Sequence, residues 1–110
     1  MSPLNQTVLR NTKKRVTEFM NPGPVLTSLE SKGILTTDDV EEINNDGTRR
    51  KKNENLVDFI RGHKNRAFNC FLDALKENEQ EHVMKIITDE LAGLKFNALL
   101  LVFYQIRTRQ

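Results

Sequence analysis

The chain has 110 residues, enough for one domain with a single modest core. Its apolar fraction of 37% and charged fraction of 29% are typical of a soluble globular protein, and the formal net charge is only +2. The overall field is therefore weak, and local patches carry the electrostatics. A membrane-spanning class is excluded, because no apolar run reaches the roughly 18–20 residues that a bilayer requires. The chain has no internal repeat at solenoid spacing.

Cysteine content and the first residues of the sequence indicate the compartment. Cys70 is the only cysteine, so an intrachain disulfide is excluded and a reducing environment is expected. The first six residues, MSPLNQ, lack the apolar core of a secretion signal. We therefore expect a cytoplasmic location, and the nucleus stays open as a second one.

Apolar residues recur at helical spacing along the whole chain, which predicts an all-α fold. A first helix is predicted over residues 4–20, with Arg10 and Lys14 opposite its apolar side. That apolar side consists of Val8, Leu9, Val16, Phe19 and Met20. A short second helix follows the prolines at 22 and 24 and should end at Gly33.

A third helix is predicted next, capped by a threonine and with acidic residues in its first turn. Three more helices follow it and complete the predicted bundle. The third helix turns Val40 and Ile43 inward. The fourth spans about 48–61, the fifth about 65–77, and the sixth begins near Glu79. The fifth has the most regular apolar stripe, formed by Phe68, Phe71, Leu72 and Leu75. Short connections between six helices predict a compact bundle.

The end of the chain is unusually apolar. Residues 96–106 contain only two polar side chains, Asn97 and Gln105. We expect this segment to continue the sixth helix and to pack on the bundle or on a second copy. An exposed interaction segment or a membrane-surface segment is the alternative. The predicted organisation is a domain over residues 1–92 and an extension over 93–110.

Charge is sorted into blocks along the sequence. Residues 28–46 hold six acidic residues and one basic residue, Lys32. Residues 47–66 hold seven basic and two acidic residues, and the first 20 residues hold four basic residues against Glu18. A surface divided in this way suits a copy or a relative of the same molecule better than a ligand of one charge sign.

Two motifs resemble those of caspase-recruitment domains (CARDs). Residues 29–36 are LESKGILT, followed at 40–43 by VEEI, and they are similar to the second and third helices of that family. Residues 67–75 are AFNCFLDAL and resemble its fifth helix, while the basic first helix is similar to the family's first. The loop before helix five departs from the family's usual Arg/Lys-Gly-Pro, since His63 replaces the proline. The resemblance covers residues 4–92 and implies a six-helix antiparallel Greek-key bundle, the death fold.

The resemblance also implies a function and two binding faces. Members of this family dock a basic face of one domain onto an acidic face of the next, and the contact recruits or oligomerises an initiator caspase or a related signalling protein in apoptosis or innate immunity. The expected partners are other CARD proteins, with the chain itself as a further candidate. The acidic face would consist of Glu30, Asp38, Asp39, Glu41 and Glu42. The basic face would consist of Arg10, Lys13, Lys14, Arg15, Arg49, Arg50 and Arg61.

Catalytic and metal-binding patterns are not found in the sequence. Cys70 lies on an apolar helix and is expected to be a half-buried filler rather than a reactive thiol. His63 and His82 are expected at the surface, without companions spaced as zinc ligands. We therefore expect no enzyme activity, cofactor, metal or small-molecule substrate in this chain, although it could be the prodomain of a protease zymogen.

Two alternatives stay open at this point. The basic residues of helices one and four could form a small helical nucleic-acid-binding surface, although the exposed third helix is acidic. Within the CARD interpretation, the chain could be a prodomain, an adaptor fragment or a CARD-only protein. A CARD-only protein would act as a decoy that caps a partner's assembly.

Overall fold

Six α-helices form the part of the protein that the computed structural model describes, residues 1–45 and 47–108. Asp46, which belongs to the acidic block, and the last two residues lie outside it. No strand occurs in the described residues, so the all-α prediction is confirmed. The helices are α1 (Pro3–Phe19), α2 (Pro22–Ser31), α3 (Thr37–Asn44), α4 (Arg49–Arg61), α5 (Asn65–Glu77) and α6 (Glu81–Thr108).

The helices enclose one core, and α4 occupies a central place in it. α1 packs against α6 and α4, α2 packs against α5 and α4, and α3 packs against α4 and α2. The predicted stripe of α5 supplies the largest buried side chains, Phe68 and Phe71. α4 therefore lies between the basic first helix and the acidic third helix, and it positions both.

The prediction that Phe19 belongs to the apolar, inward side of the first helix is wrong. Its side chain is 52% exposed, whereas the next residue, Met20, is fully buried. The reason is that α1 ends at Phe19 and Met20 adopts an extended backbone conformation, with φ −74° and ψ 137°. The departing chain turns Met20 into the core, and Phe19 stays outside.

Local capping sets the helix boundaries. Thr48 is the N-cap of α4, and its hydroxyl accepts a hydrogen bond from the Lys51 amide. Gly33 has a φ of +76°, the left-handed conformation expected after α2. The predicted start of α6 at Glu79 is two residues early, because Glu79 itself is left-handed, with a φ of 63°.

Two buried amide side chains tie distant helix ends together. Asn53 on α4 is fully buried, and its Nδ2 donates to the carbonyl oxygens of Thr17 at 3.0 Å and Met20 at 2.8 Å. Gln80 accepts from the Asn21 amide at 2.8 Å and donates to the Asn21 carbonyl at 3.0 Å. The Asn53 bonds satisfy carbonyls at the end of α1 and fix it against α4, and the Gln80 bonds join the α1–α2 connection to the residue before α6.

α6 extends well beyond the part of the bundle against which it packs. It runs 28 residues to Thr108, and the molecule measures 58 × 23 × 23 Å. Leu91 and Leu94 are half-buried against the core, but all residues from 95 to 107 are exposed. The expectation that residues 96–106 pack on their own bundle is therefore wrong. Among the described residues, no helix has an apolar stretch long enough to cross a membrane.

Removal of the Asn53 amide should destabilise the whole bundle. Asn53→Ala takes the donor from two α1 carbonyls and leaves a small cavity, which should cost about 2 kcal/mol and lower Tm by roughly 10 °C. Thermal unfolding followed by circular dichroism measures the effect. Asn69→Ala, at an exposed position of α5, is the matched control and should leave Tm almost unchanged. Equal losses in the two variants would contradict the role of Asn53.

Candidate partner-binding faces

α1 and α4 lie antiparallel. Arg49, Asn53 and Asp58 meet α1 in that order along α4, and their contacts on α1 move from Glu18 back to Lys13. This register places the basic residues of both helices on neighbouring turns. The structure thus brings together the two helices that supply the predicted basic face.

Arg49 has a structural role that the sequence does not reveal. Its guanidinium donates to the carbonyl oxygens of Glu18 at 2.8 Å and Met20 at 3.3 Å. A cation at the carboxyl end of a helix is favourable because the helix dipole is negative there. Arg49 therefore holds α1 on α4, and part of its donor capacity is taken.

Carboxylates on α4 partly neutralise three other basic residues of the predicted face. Lys13 Nζ lies 2.7 Å from Asp58 Oδ1, and Arg61 Nη1 lies 3.9 Å from the same oxygen. Arg50 Nε lies 3.6 Å from Glu54 Oε1. All three cations keep exposed area, so these pairs are weak and can rearrange when a partner approaches.

The most available cations lie on α1. Arg10, Lys14 and Arg15 are exposed, and none of them forms an ion pair within 4.0 Å in the part of the chain that the structure describes. Arg10 and Lys14 lie opposite the buried positions Val8 and Val16, as the sequence pattern predicts, and Arg15 lies on the flank of α1 next to α6. We regard them as the centre of the candidate basic face.

The acidic residues lie on α2 and α3. Glu30, Asp38, Glu41 and Glu42 are exposed, and no ion pair within 4.0 Å engages them among residues 1–45 and 47–108. α3 has only eight residues and buries only Ile43 completely. Most of its surface is thus available to a partner.

Asp39 has a second role at the start of α3. Thr36 Oγ1 accepts a hydrogen bond from the Asp39 amide at 3.1 Å, and Asp39 Oδ2 accepts one from the Thr36 amide at 2.9 Å. This reciprocal capping box confirms the predicted threonine cap. Because the Asp39 carboxylate stabilises α3, reversing its charge changes helix stability as well as surface charge.

A depression of about 310 Å³ lies between α3 and α4. Asp39 and Glu42 line it from α3, and Asp58 and Phe59 line it from α4. Asp58 also pairs with Lys13, so it marks the boundary between the acidic and basic sides. Sequence reasoning missed this residue because it counted Asp58 as an exception within a basic block.

Lys32, the one basic residue of the acidic block, points to α5. Its Nζ donates to Glu77 Oε1 at 2.8 Å. That hydrogen bond, helped by the negative charges of Glu77 and Asp73, raises the pKa of Lys32 above its ordinary value. Lys32 is engaged with α5, and no ion pair within 4.0 Å joins it to the described acids of α3.

The two predicted charge sets are not bonded to each other. Every ion pair found in the described residues uses Glu54, Asp58 or Glu77 as its acid, and none of these belongs to the predicted acidic set. The structure therefore shows a small helical domain that carries exposed acids on α2 and α3 and exposed bases on α1 and α4.

Comparison with known families agrees with this class. A family model described as the caspase recruitment domain matches residues 6–90, and the chain belongs to that family. CARD domains are non-catalytic modules that bind other CARD or death-fold proteins in apoptotic and inflammatory signalling. The six helices are consistent with the death-fold bundle that this family adopts.

The remaining chemistry-bearing residues lie apart from one another. Cys70 is a half-buried free thiol on α5, and both histidines are exposed. The His63 ring stacks on Phe59, with ring centroids 4.0 Å apart, and its Nδ1 lies 2.6 Å from the Phe59 carbonyl oxygen. These contacts hold the loop in which His63 replaces the family's proline. No three His, Cys, Asp or Glu side chains of the described residues are grouped to hold a metal.

Loss of the N-terminal cap should destabilise α3, the helix that carries most of the acidic residues. Thr36→Ala removes the side-chain acceptor of the capping box, which should cost about 1 kcal/mol and lower Tm by roughly 4–8 °C. Hydrogen exchange should show faster exchange of α3 amides. Thr37→Ala, one residue later on the exposed surface, is the matched control and should change neither quantity. Identical behaviour of the two variants would exclude the cap as the source of α3 stability.

Proposed function

We propose that this domain assembles head to tail, with the exposed acids of α2 and α3 on one molecule docked against the exposed bases of α1 and α4 on the next. The observation that carries the proposal is the absence of ion pairs between these two sets within the described residues of one molecule. Membership of the CARD family supports it, because that family binds its own kind.

A contact between two different faces has a geometric consequence. Each molecule uses its acidic face for one neighbour and its basic face for another, so the contact need not close on itself and can extend into a disc or filament. A single exposed ion pair contributes only about 0–1 kcal/mol. Charge therefore selects the partner and speeds encounter, and stable assembly requires many copies.

The partner class follows from the same complementarity. The proposed partners are an initiator caspase, its adaptor or a related CARD protein, together with a second copy of this chain. Recruitment would concentrate zymogens so that they activate one another, and no chemistry would occur in this domain. If the chain acts without a catalytic partner segment, the same faces would make it a decoy. We place this function in the cytoplasm.

Charge reversal at the two faces should abolish binding without unfolding the domain. Arg10→Glu on α1 and Glu41→Arg on α3 each place a like charge opposite the partner's face, so capture of CARD partners should fall at least tenfold. The measurement immobilises this chain and passes a panel of CARDs, including a second copy, over it. Both positions are exposed, and neither side chain forms an ion pair within 4.0 Å in the described residues, so Tm should change little.

Lys76→Glu on α5 and Glu81→Arg on α6 are matched controls, because they make the same changes of charge at exposed positions outside both faces. They should keep wild-type binding. Loss of binding in the controls, or unfolding of the two face variants, would show that the assigned faces are wrong.

Binding through these faces should weaken steeply with salt. Because the Debye length shrinks to a few ångströms at high ionic strength, affinity should fall by at least tenfold between about 50 and 500 mM NaCl. The affinity is measured in the same immobilised-chain assay for binding of a second copy. The immobilised and the soluble protein both carry Phe103→Glu, so that the exposed apolar end of α6 does not contribute. Affinity that is independent of salt would contradict a charge-driven contact.

A further inference from the structure

The protruding end of α6 exposes an apolar surface that the charged faces do not explain. Eight large apolar side chains between residues 96 and 106 are 50–66% exposed. These residues are Phe96, Leu99, Leu100, Leu101, Val102, Phe103, Tyr104 and Ile106. We call residues 95–107 the tail helix. It follows the half-buried Leu94, the last residue of α6 packed against the core.

The exposed apolar area is that of an interface. Aromatic side chains bury about 150–250 Å² each and aliphatic ones roughly 60–120 Å², so the exposed fractions amount to roughly 600 Å² per molecule. The largest apolar patch of an ordinary monomer is about 300–600 Å² and is often functional, so the tail helix reaches the upper end of that range. A standard interface covers about 800 Å² per partner, of which somewhat more than half is apolar. The tail helix alone supplies that apolar share.

The apolar residues of the tail helix follow a heptad pattern, which is typical of helices that pack against other helices. Phe96 and Phe103 fall on the a positions of a heptad, and Leu99 and Ile106 fall on the d positions. Leu100 and Val102 flank this seam at e and g, so the seam and its flanks cover about 160° of the helix. A seam with apolar flanks suits a bundle of more than two helices, because two helices bury only the a and d positions.

A second feature lies on one flank of the seam. Asn97, Leu100, Leu101, Phe103, Tyr104 and Arg107, all on the tail helix itself, line a shallow depression that is widely open to solvent. This largely apolar flank can contact one neighbouring helix while the seam contacts another. One tail helix therefore offers contacts to two neighbours at once.

Charge favours a protein partner over a lipid surface. A helix that lies on a membrane has a charged face along its length, usually rich in Lys and Arg. No charged residue occurs between Lys95 and Arg107, and only Asn97 and Gln105 are polar side chains in that interval. The tail helix thus lacks the face that headgroups would hold, whereas equivalent helices of further copies match its length and its apolar pattern.

We propose that the tail helices of at least three copies of this chain associate into a small helical bundle, separately from the charged CARD faces. The seam is only two heptads long, but it extends a helix already anchored in a folded domain, so the cost of helix nucleation is met by the domain. In an assembly held by the charged faces as well, the two contacts reinforce each other through effective concentration.

The test measures the molar mass of the full chain by light scattering over a concentration series, in about 500 mM NaCl to screen the charged faces. Wild-type protein should reach a defined mass of at least three times the 12.7 kDa of one chain. Phe103→Glu and Leu99→Glu should each remain monomeric with unchanged helicity, because both positions are exposed. Ala98→Glu, at position c outside the seam and its two flanks, is the matched control and should assemble like wild type.

Several outcomes would overturn the proposal. Monomeric wild-type protein, a continuous range of aggregate masses, or equal loss of assembly in Ala98→Glu would each do so. A monomer that floats with phosphatidylcholine–phosphatidylserine vesicles through Phe103 would assign the tail helix to a lipid surface instead. Arg10→Glu protein should keep the assembly in high salt, which separates failure of this proposal from failure of the charged faces.

Discussion

The structure depends on how the end of α1 is held. The last carbonyls of a helix have no partners within that helix, and burying them without donors is costly. Here α4 supplies the donors, through the amide of Asn53 and the guanidinium of Arg49. The same bonds fix the antiparallel register of α1 and α4, so a requirement of backbone hydrogen bonding also aligns the basic residues of two helices into one face.

α4 also explains why the faces stay distinct. It lies between α1 and α3, and its carboxylates are the ones that engage α1 and α4 cations: Asp58 pairs with Lys13, and Glu54 pairs with Arg50. The acids of α3 and the outward bases Arg10 and Lys14 of α1 form no ion pair within the described residues, so they are available to other molecules. α4 thus moderates the basic face without joining it to the acidic one, and exposed pairs of this strength allow exchange when a partner binds.

Sequence reasoning succeeded where the pattern is local. Helical periodicity predicted the bounds of α5, and cap chemistry predicted a threonine cap for α3, because both depend on residues a few positions apart. It missed the structural roles of Arg49 and Asn53, since their carbonyl partners lie 29 to 36 residues away and a polar residue in a helix normally indicates surface. Phe19 was misplaced because one change of backbone direction at Met20 exchanged the two side chains. The predicted faces remain predictions, since exposure shows availability and not use.

Carbodiimide cross-linking of assembled protein, made from equal parts of ¹⁵N-labelled and unlabelled chains, tests the central claim most directly. The reagent joins a lysine amine to a nearby carboxylate, and Lys13–Asp58, already in contact within one molecule, gives an internal reference with a single isotope. The account predicts mixed-isotope links between Lys14 of α1 and Asp38, Glu41 or Glu42 of α3. Mixed-isotope links that join other surfaces, with none between α1 and α3, would contradict it.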